Sequence, residues 1–197
     1  MPPEKGRGYR LAGVAAALVV TALVIAGVQL AGRGSNSTAS AQPAPTAPAS
    51  IVLNATDDAF LQLMIPIDES ALVFLKEAQG IAQSPALRAL TAQLADSHQT
   101  ELKELRALLA AGGTAEQNLH EGHRMPGMIF DDQVAELRSA PEAARDAQAI
   151  TLLRGHLEQC EVLATGEQTA GGSDETRAFA VRLKRLRTEQ LNQLAAI

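Results

Sequence analysis

Apolar residues recur at helical spacing along the chain after residue 51, and no segment alternates in the manner of a β-strand. The first helical pattern starts after Thr56-Asp57-Asp58. The second opens at Ser84-Pro85, a capping residue followed by proline at the first helical position. A short pattern and two further long ones follow. The residues expected on the apolar faces are Phe60, Leu63, Met64, Ile67, Ala71, Phe74, Leu75, Leu87, Leu90, Leu94, Leu102, Leu105, Leu109, Val134, Leu137, Ile150, Leu153, Leu157, Cys160, Ala164, Phe179, Leu183, Leu186, Leu191 and Leu194.

The second half of this helical region repeats the first. The segment Ser84–Leu94 aligns with Ser173–Leu183 at an offset of 89 residues, and a loop over about residues 114–130 separates the halves. Each half is predicted to form a hairpin of two long helices with one apolar side. Two such hairpins bury their apolar sides against each other, so we predict an all-α four-helix bundle over residues 51–197.

A long uncharged segment precedes the bundle. Residues 11–32 carry no charge, and three cations lie within residues 1–10. About 20 apolar residues span a bilayer as a helix, and flanking cations keep their side of the membrane cytoplasmic. We therefore predict a cytoplasmic basic N-terminus over residues 1–10 and a single-pass anchor over residues 11–32. The bundle would then lie outside the cell membrane.

A cleaved signal peptide is the alternative to an anchor. Ala39-Ser40-Ala41 fits a small-x-small cleavage site, which would release the rest of the chain as a secreted protein. Residues 33–50 are rich in Ser, Ala, Pro and Thr and cannot build a core. They are predicted to form a flexible linker under either alternative.

Composition argues against nucleic acid as a partner. The formal charge of the chain is −5, and it is concentrated beyond residue 41, where 13 cations face 21 acids. Nucleic acid would be repelled, and with no Trp and only 3% aromatic residues the chain offers little for bases to stack on. The single cysteine, Cys160, cannot form an intrachain disulfide and is expected to be a small buried thiol.

The loop between the two halves carries the most distinctive chemistry. It contains His120, His123, Met125 and Met128 within nine residues, interspersed with glycine and proline that favour turns. Thioethers suit Cu(I), and imidazole suits copper and zinc. The loop therefore predicts a metal site, with copper as the candidate ion. In the alternative, the methionines only plug the end of the bundle and the histidines stay solvated.

Two further histidines, His98 and His156, lie on apolar faces. An inward histidine is more often a hydrogen-bonded core residue than a ligand, but His156 is kept as a candidate fifth ligand and Asp68 as a weaker one. No Glu-x-x-His motif occurs, so no di-iron site is expected, and no catalytic motif indicates an enzyme. A solvated face is expected for the cations of the last helix, Arg182, Lys184, Arg185 and Arg187.

Taken in order, four motifs resemble those of the DUF305 family over about residues 55–195. They are Asp57-x-x-Phe60, Met64-Ile-Pro66, Met125-Pro-Gly-Met128 and Leu153-Arg-Gly-His156. The resemblance implies a ferritin-like four-helix bundle and export from the cytoplasm. It also implies copper as a candidate ligand, because some members of that family bind copper.

The chain departs from the family where the family pattern places two His-His pairs. Ile67-Asp68 replaces the first pair, and Gly155-His156 stands at the second, so one histidine of four remains. The resemblance then implies that a metal site inside the bundle is lost or weakened. The sequence thus leaves two functions open: a membrane-tethered copper-binding protein for sequestration or handover, or a metal-free bundle that binds a protein partner in the cell envelope.

Overall fold

The computed structural model describes residues 50–197, and within that range the ordered elements are helices with no strand. The helices are α1 (Ala55–Ile81), α2 (Pro85–Ala111), α3 (Asp131–Ser139), α4 (Glu142–Ala170) and α5 (Asp174–Ala195). This confirms the all-α prediction.

The predicted basic N-terminus, anchor and nearly all of the linker lie outside the described residues. Within residues 50–197, no helix combines the length and apolar character needed to cross a membrane.

Capping side chains determine where the long helices begin. α1 starts earlier than predicted, because Asn54 and not the Thr56–Asp58 region is its N-cap; the Asn54 side chain accepts from the backbone N–H of Asp57, whose carboxylate accepts from that of Asn54. Ser84 and Ser173 cap α2 and α5, as their place in the repeat predicts. Each serine hydroxyl accepts a hydrogen bond from the backbone N–H three residues later.

A pair of equivalent aspartates ties the two hairpins together. Asp57 on α1 accepts hydrogen bonds from the backbone N–H groups of Gly172 and Ser173, just before α5. Asp146 on α4, 89 residues later, does the same for the residues just before α2, Gln83 and Ser84. Each hairpin therefore supplies an aspartate that accepts hydrogen bonds from the turn of the other hairpin. The two sets of contacts are related by pseudo-twofold symmetry.

The same offset corrects the alignment of the family motifs. With Asp57 equivalent to Asp146, the equivalent of His156 is Ile67 and not Asp68. On the other pair of helices, the equivalent of His98 is Arg187. The two halves therefore present different polar side chains at matching positions, which the predicted similarity of the halves does not reveal.

Helix packing follows the two-hairpin plan. α1 lies along α2 and α4 lies along α5, and the hairpins meet through α1 against α4 and α2 against α5. The short α3 contacts α1 and α4. This arrangement is a four-helix bundle with one additional helix in the connection between its halves.

The core consists of two apolar clusters with a polar layer between them. On α1, buried residues up to Ile67 belong to one cluster and those from Ala71 onward belong to the other. The buried residues of α2, α4 and α5 are likewise divided between the two clusters along each helix. The residues at these changes are buried and polar: Asp68, His98, His156 and Arg187. Burying polar groups costs free energy unless they are paired, so this layer has a different role from the apolar packing around it.

The reciprocal caps can be tested at the more accessible aspartate. Replacing Asp146 with alanine removes the acceptor of the Gln83 and Ser84 N–H groups, and we expect it to lower the free energy of unfolding by about 1 kcal/mol. Urea denaturation measures the change. Glu158→Ala, at an exposed position of the same helix, is the matched control and should leave stability unaltered. Equal effects of the two substitutions would contradict the capping role.

Candidate metal centre

Three ionisable side chains meet in the polar layer: Asp68 from α1, His98 from α2 and His156 from α4. All three are buried, and their candidate ligand atoms lie within 4.8 Å of one another. Helical periodicity accounts for their placement, because each occupies an inward position on its helix between the two apolar clusters.

The two imidazoles face each other at hydrogen-bonding distance. His98 Nε2 and His156 Nε2 are 2.8 Å apart, and the ring centroids are 5.0 Å apart. The other nitrogen of each ring faces a carbonyl oxygen: His98 Nδ1 lies 2.7 Å from Leu94 O, and His156 Nδ1 lies 2.8 Å from Gly127 O.

These contacts determine where the protons lie. A carbonyl oxygen only accepts, so each Nδ1 must carry the hydrogen and donate it. In two neutral rings, both Nε2 atoms would then present bare lone pairs to each other at 2.8 Å, which is repulsive. A cation between the two nitrogens would remove this repulsion: a shared proton at the observed distance, or a metal ion if the rings move apart.

Burial opposes the proton as the occupant of this position. The pKa of His98 is well below its usual value because of burial and, next, the nearby charge of Arg187; the pKa of His156 is lowered by the same two causes. Burial, followed by the neighbouring Glu101, raises the pKa of Asp68 well above its usual value. Neutral imidazoles are the form that binds metal, and a metal ion can take the place of the carboxyl proton.

A buried ion pair borders the three candidate ligands. Arg187 is fully buried and donates from Nη2 to Glu101 Oε2 at 2.5 Å and from Nη1 to Glu101 Oε1 at 3.1 Å. Its Nη2 also lies 3.5 Å from Asp68 Oδ1. Burial alone would lower the pKa of Arg187, but the facing carboxylates, chiefly that of Glu101, raise it above its usual value.

The donor set fits a metal ion. Two imidazoles and a carboxylate suit copper and zinc, and the Cys160 thiol lies 3.8 Å from His156 Nε2 as a softer neighbour. Asp68 Oδ2 is buried without a hydrogen-bond partner, so one acceptor at this centre remains unsatisfied by protein groups. Metal–nitrogen bonds are about 2.0–2.1 Å for zinc, so an ion held by both rings requires them to separate slightly.

The loop between the hairpins orients one of the histidines. Gly127, within the Met125-Pro-Gly-Met128 turn, has φ +87° and accepts the Nδ1 hydrogen bond of His156. A Cβ there would lie 2.8 Å from Gln159 Cγ, so glycine permits both the conformation and the close approach. An outer partner of this kind orients a metal-binding histidine.

Three of the four loop candidates line a surface cavity that His156 does not line. His120 and Met128 are half-buried and His123 is exposed, and all three line a surface cavity of about 470 Å³. Met125 is half-buried but does not line that cavity, and Met128 packs against the apolar core. His156, in contrast, lies in the buried centre beside His98. The predicted five-residue set is therefore divided between two places, and metal binding by the loop stays a prediction.

Two residues of this centre carry more than their sequence patterns indicate. His98 is the buried, hydrogen-bonded core histidine that is predicted, and in addition its Nε2 faces His156 Nε2. The prediction of a solvated face for Arg187 is wrong, because Arg187 is fully buried against Glu101. The signal for both is the 89-residue offset, which makes His98 and Arg187 equivalent positions on inward faces. Met64 and Cys160 are buried in the core as predicted.

Comparison of the chain with known proteins identifies its fold. No protein-family model matches the sequence, and no curated protein matches it. Solved structures that resemble it at low identity include a DUF305 fragment from Deinococcus radiodurans, with a TM-score of 0.66 and 20% identity over 74% of this chain and 96% of that one. A DUF305 protein from Streptomyces coelicolor has a TM-score of 0.64 and 15% identity over 76% of this chain and 93% of that one. CopM with bound Cu(II) has a TM-score of 0.62 and 19% identity over 71% of this chain and 93% of that one. CopM also resembles it in its Ag-bound and Cu(I)-bound forms.

The match covers 93–96% of each of these structures and 71–76% of this chain. The covered share of this chain is about the length of its helical bundle. At identities of 15–20% the comparison establishes the fold and not the ligand. The chain therefore has the DUF305 fold, as the resemblance of its sequence motifs predicted.

Proposed function

We propose that this protein is an exported copper-binding protein that holds one copper ion in the centre of its helical bundle, for sequestration or handover and not for catalysis. The observation that carries the proposal is the pair of Nε2 atoms at 2.8 Å whose Nδ1 atoms both face carbonyl oxygens. That arrangement leaves two lone pairs directed at the same position, where a bound cation removes their repulsion.

The residues that would hold the ion are His98, His156 and Asp68, with Cys160 as a neighbour that could add a sulfur ligand. The ion would supply the positive charge that compensates the Asp68 carboxylate. The chain contributes the oriented imidazoles: Leu94 and Gly127 fix their tautomers through carbonyl oxygens. Copper is preferred to zinc because the structural neighbour CopM is described with Cu(II), Cu(I) and silver bound.

A surface cleft beside the centre supplies the route by which we propose that the ion enters and leaves. A cleft of about 440 Å³ lies between α2 and α5, and Glu101 lines it. The same residue pairs with Arg187, which borders Asp68 and His98. A movement of the Glu101 and Arg187 side chains would therefore open the centre to the cleft, as release to an acceptor protein requires.

Export and attachment remain part of the proposal. The uncharged residues 11–32 supply the anchor or the signal peptide, and the structural neighbour from Streptomyces coelicolor is described as a candidate secreted protein. Within the bundle, nothing about the buried centre depends on which of the two alternatives holds.

Titration with copper tests the proposal. The full-length chain in mild detergent is titrated with Cu(I) against a chelator of known affinity, beside His98→Ala/His156→Ala and the loop variant His120→Ala/His123→Ala/Met125→Ala/Met128→Ala. We expect one tight equivalent in the parent and a loss of more than about 100-fold in affinity in the double variant, because both imidazole ligands are removed. The loop variant should keep most of the affinity.

The other outcomes are equally informative. If the loop variant and not the double variant loses binding, the ion lies in the loop, as the sequence alone suggests. Absence of copper binding by the folded parent would contradict the proposal and favour the metal-free interaction module. Circular dichroism of each variant shows that the helices are retained.

A further inference from the structure

We propose that Arg187 is a specificity-determining residue, which makes the buried centre select a monovalent cation over a divalent one. This inference rests on the proposed function, since it concerns the same centre. Arg187 binds no metal itself, but its charge determines whether a monovalent or a divalent ion is preferred at the centre.

The guanidinium of Arg187 lies against the candidate ligands. Its Nη2 is 3.5 Å from both His98 Nε2 and Asp68 Oδ1. Arg187 is fully buried, so no solvent screens its charge from the centre. A guanidinium keeps its proton in proteins, and its positive charge is therefore a constant of the site.

Counting the buried charges gives the preferred ion. Glu101 receives two hydrogen bonds from Arg187 and compensates its charge. The remaining carboxylate, Asp68, compensates one further positive charge. A monovalent ion between the imidazoles therefore leaves the layer neutral, whereas a divalent ion leaves one positive charge buried without compensation.

The neighbours supply little additional negative charge. Gln190 accepts from Arg187 Nη1 at 3.0 Å but is neutral, and the Cys160 thiol contributes charge only if it gives up its proton. The apolar clusters on both sides of the layer contain no acid. Among the described residues packed at this centre, Glu101 and Asp68 are therefore the carboxylates that set the balance.

The internal repeat shows how the selectivity is built. Arg187 occupies the position equivalent to His98, and Gln190 the position equivalent to Glu101. Where α2 presents an imidazole and a carboxylate, α5 presents a fixed cation and a neutral amide. The α4–α5 hairpin thus contributes the positive charge of Arg187 at the position where the α1–α2 hairpin contributes the candidate ligand His98.

The test compares two ions that do not change oxidation state, Ag(I) and Zn(II), on the full-length chain. Affinities for both are measured by chelator competition in the parent, Arg187→Gln, Glu101→Gln and the double variant Arg187→Gln/Glu101→Gln. Removal of the Arg187 charge should shift the affinity ratio toward Zn(II) by about tenfold or more, because a divalent ion feels that charge twice as strongly. Glu101→Gln should shift the ratio in the opposite direction.

The double variant is the matched control, since it removes one positive and one negative charge and should restore the parental ratio. If Arg187→Gln does not fold, as judged by circular dichroism, the ratio in Glu101→Gln against the double variant tests the same point. A ratio that is unchanged across the folded variants would overturn the inference while leaving the proposed function intact. Failure of the parent to bind Ag(I) or Cu(I) would instead count against the proposed function.

Discussion

Replacing Glu101 with alanine is expected to lower the free energy of unfolding by about 3 kcal/mol. The substitution leaves the Arg187 guanidinium fully buried without the carboxylate that accepts from both of its terminal nitrogens. Asp68 Oδ1 lies 3.5 Å from Arg187 and takes over part of the compensation, so the low end of the range for broken buried ion pairs applies. Urea denaturation of the metal-free protein measures the loss.

Two variants separate the lost charge from the lost packing. Glu101→Gln keeps an oxygen acceptor for Arg187 and should lose less stability than the alanine variant. Glu101→Leu/Arg187→Met removes both charges while keeping apolar volume, and it should lie close to the parent. If the alanine variant and the leucine–methionine variant are equally unstable, the ion pair is not the cause.

The second large effect concerns Glu167, and it depends on pH. Both carboxyl oxygens of Glu167 are buried without a hydrogen-bond partner, near the capped junction of α1 with the α4–α5 turn. Burial, together with the neighbouring Asp57 carboxylate, raises the pKa of Glu167 from 4.5 to about 8. Burial, the largest single influence, would raise the pKa of Asp57, but hydrogen bonds together outweigh it and lower that pKa, the backbone N–H of Asn54 first among them.

The direction of the pH effect follows from this raised pKa. Below pH 4.5 both the folded and the unfolded chains carry the Glu167 proton. Between pH 4.5 and about 8 the folded chain retains a proton that the unfolded chain has lost, so stability falls as the pH rises through this window. Ionisation of Glu167 beside Asp57 is the cause.

Glu167→Gln should remove this dependence, because the amide resembles the protonated carboxyl group. We expect it to raise the free energy of unfolding at pH 8 by about 1–2 kcal/mol, allowing for solvent screening at the end of the bundle. At pH 4.5 the gain should disappear. Thermal denaturation from pH 4.5 to 8.5 measures it, with the exposed Glu158→Gln on the same helix as control. A parallel pH profile for parent and Glu167→Gln would contradict the raised pKa.

Local sequence signals account for most of the fold. Ser84 and Ser173 are N-caps because a hydroxyl before a helix satisfies a free backbone N–H, and this requires no distant partner. The apolar stripes fix which face of each helix turns inward. The repeat at an offset of 89 residues indicates two equivalent hairpins, and the reciprocal caps of Asp57 and Asp146 agree with it.

The candidate centre was only partly predictable. The sequence offers His156 as a candidate ligand on an apolar face and Asp68 as a weaker one at the position of a family His-His pair, and both are buried. Their partner His98 looks the same in sequence as any core histidine, and only the contact across 58 residues pairs it with His156. The loop residues His120 and His123 are predicted as ligands from their spacing, but they are half-buried and exposed, respectively, whereas His98 and His156 are buried.

The sequence by itself therefore determines an all-helical bundle of two similar hairpins with the apolar faces inward, because capping and periodicity act within a few residues. Only the tertiary structure decides that Arg187 is buried and paired with Glu101, 86 positions earlier, and that His98 faces His156. These pairings depend on the register of one hairpin against the other. That register is set by packing of the two apolar clusters and by the reciprocal caps, both of which act across the whole bundle.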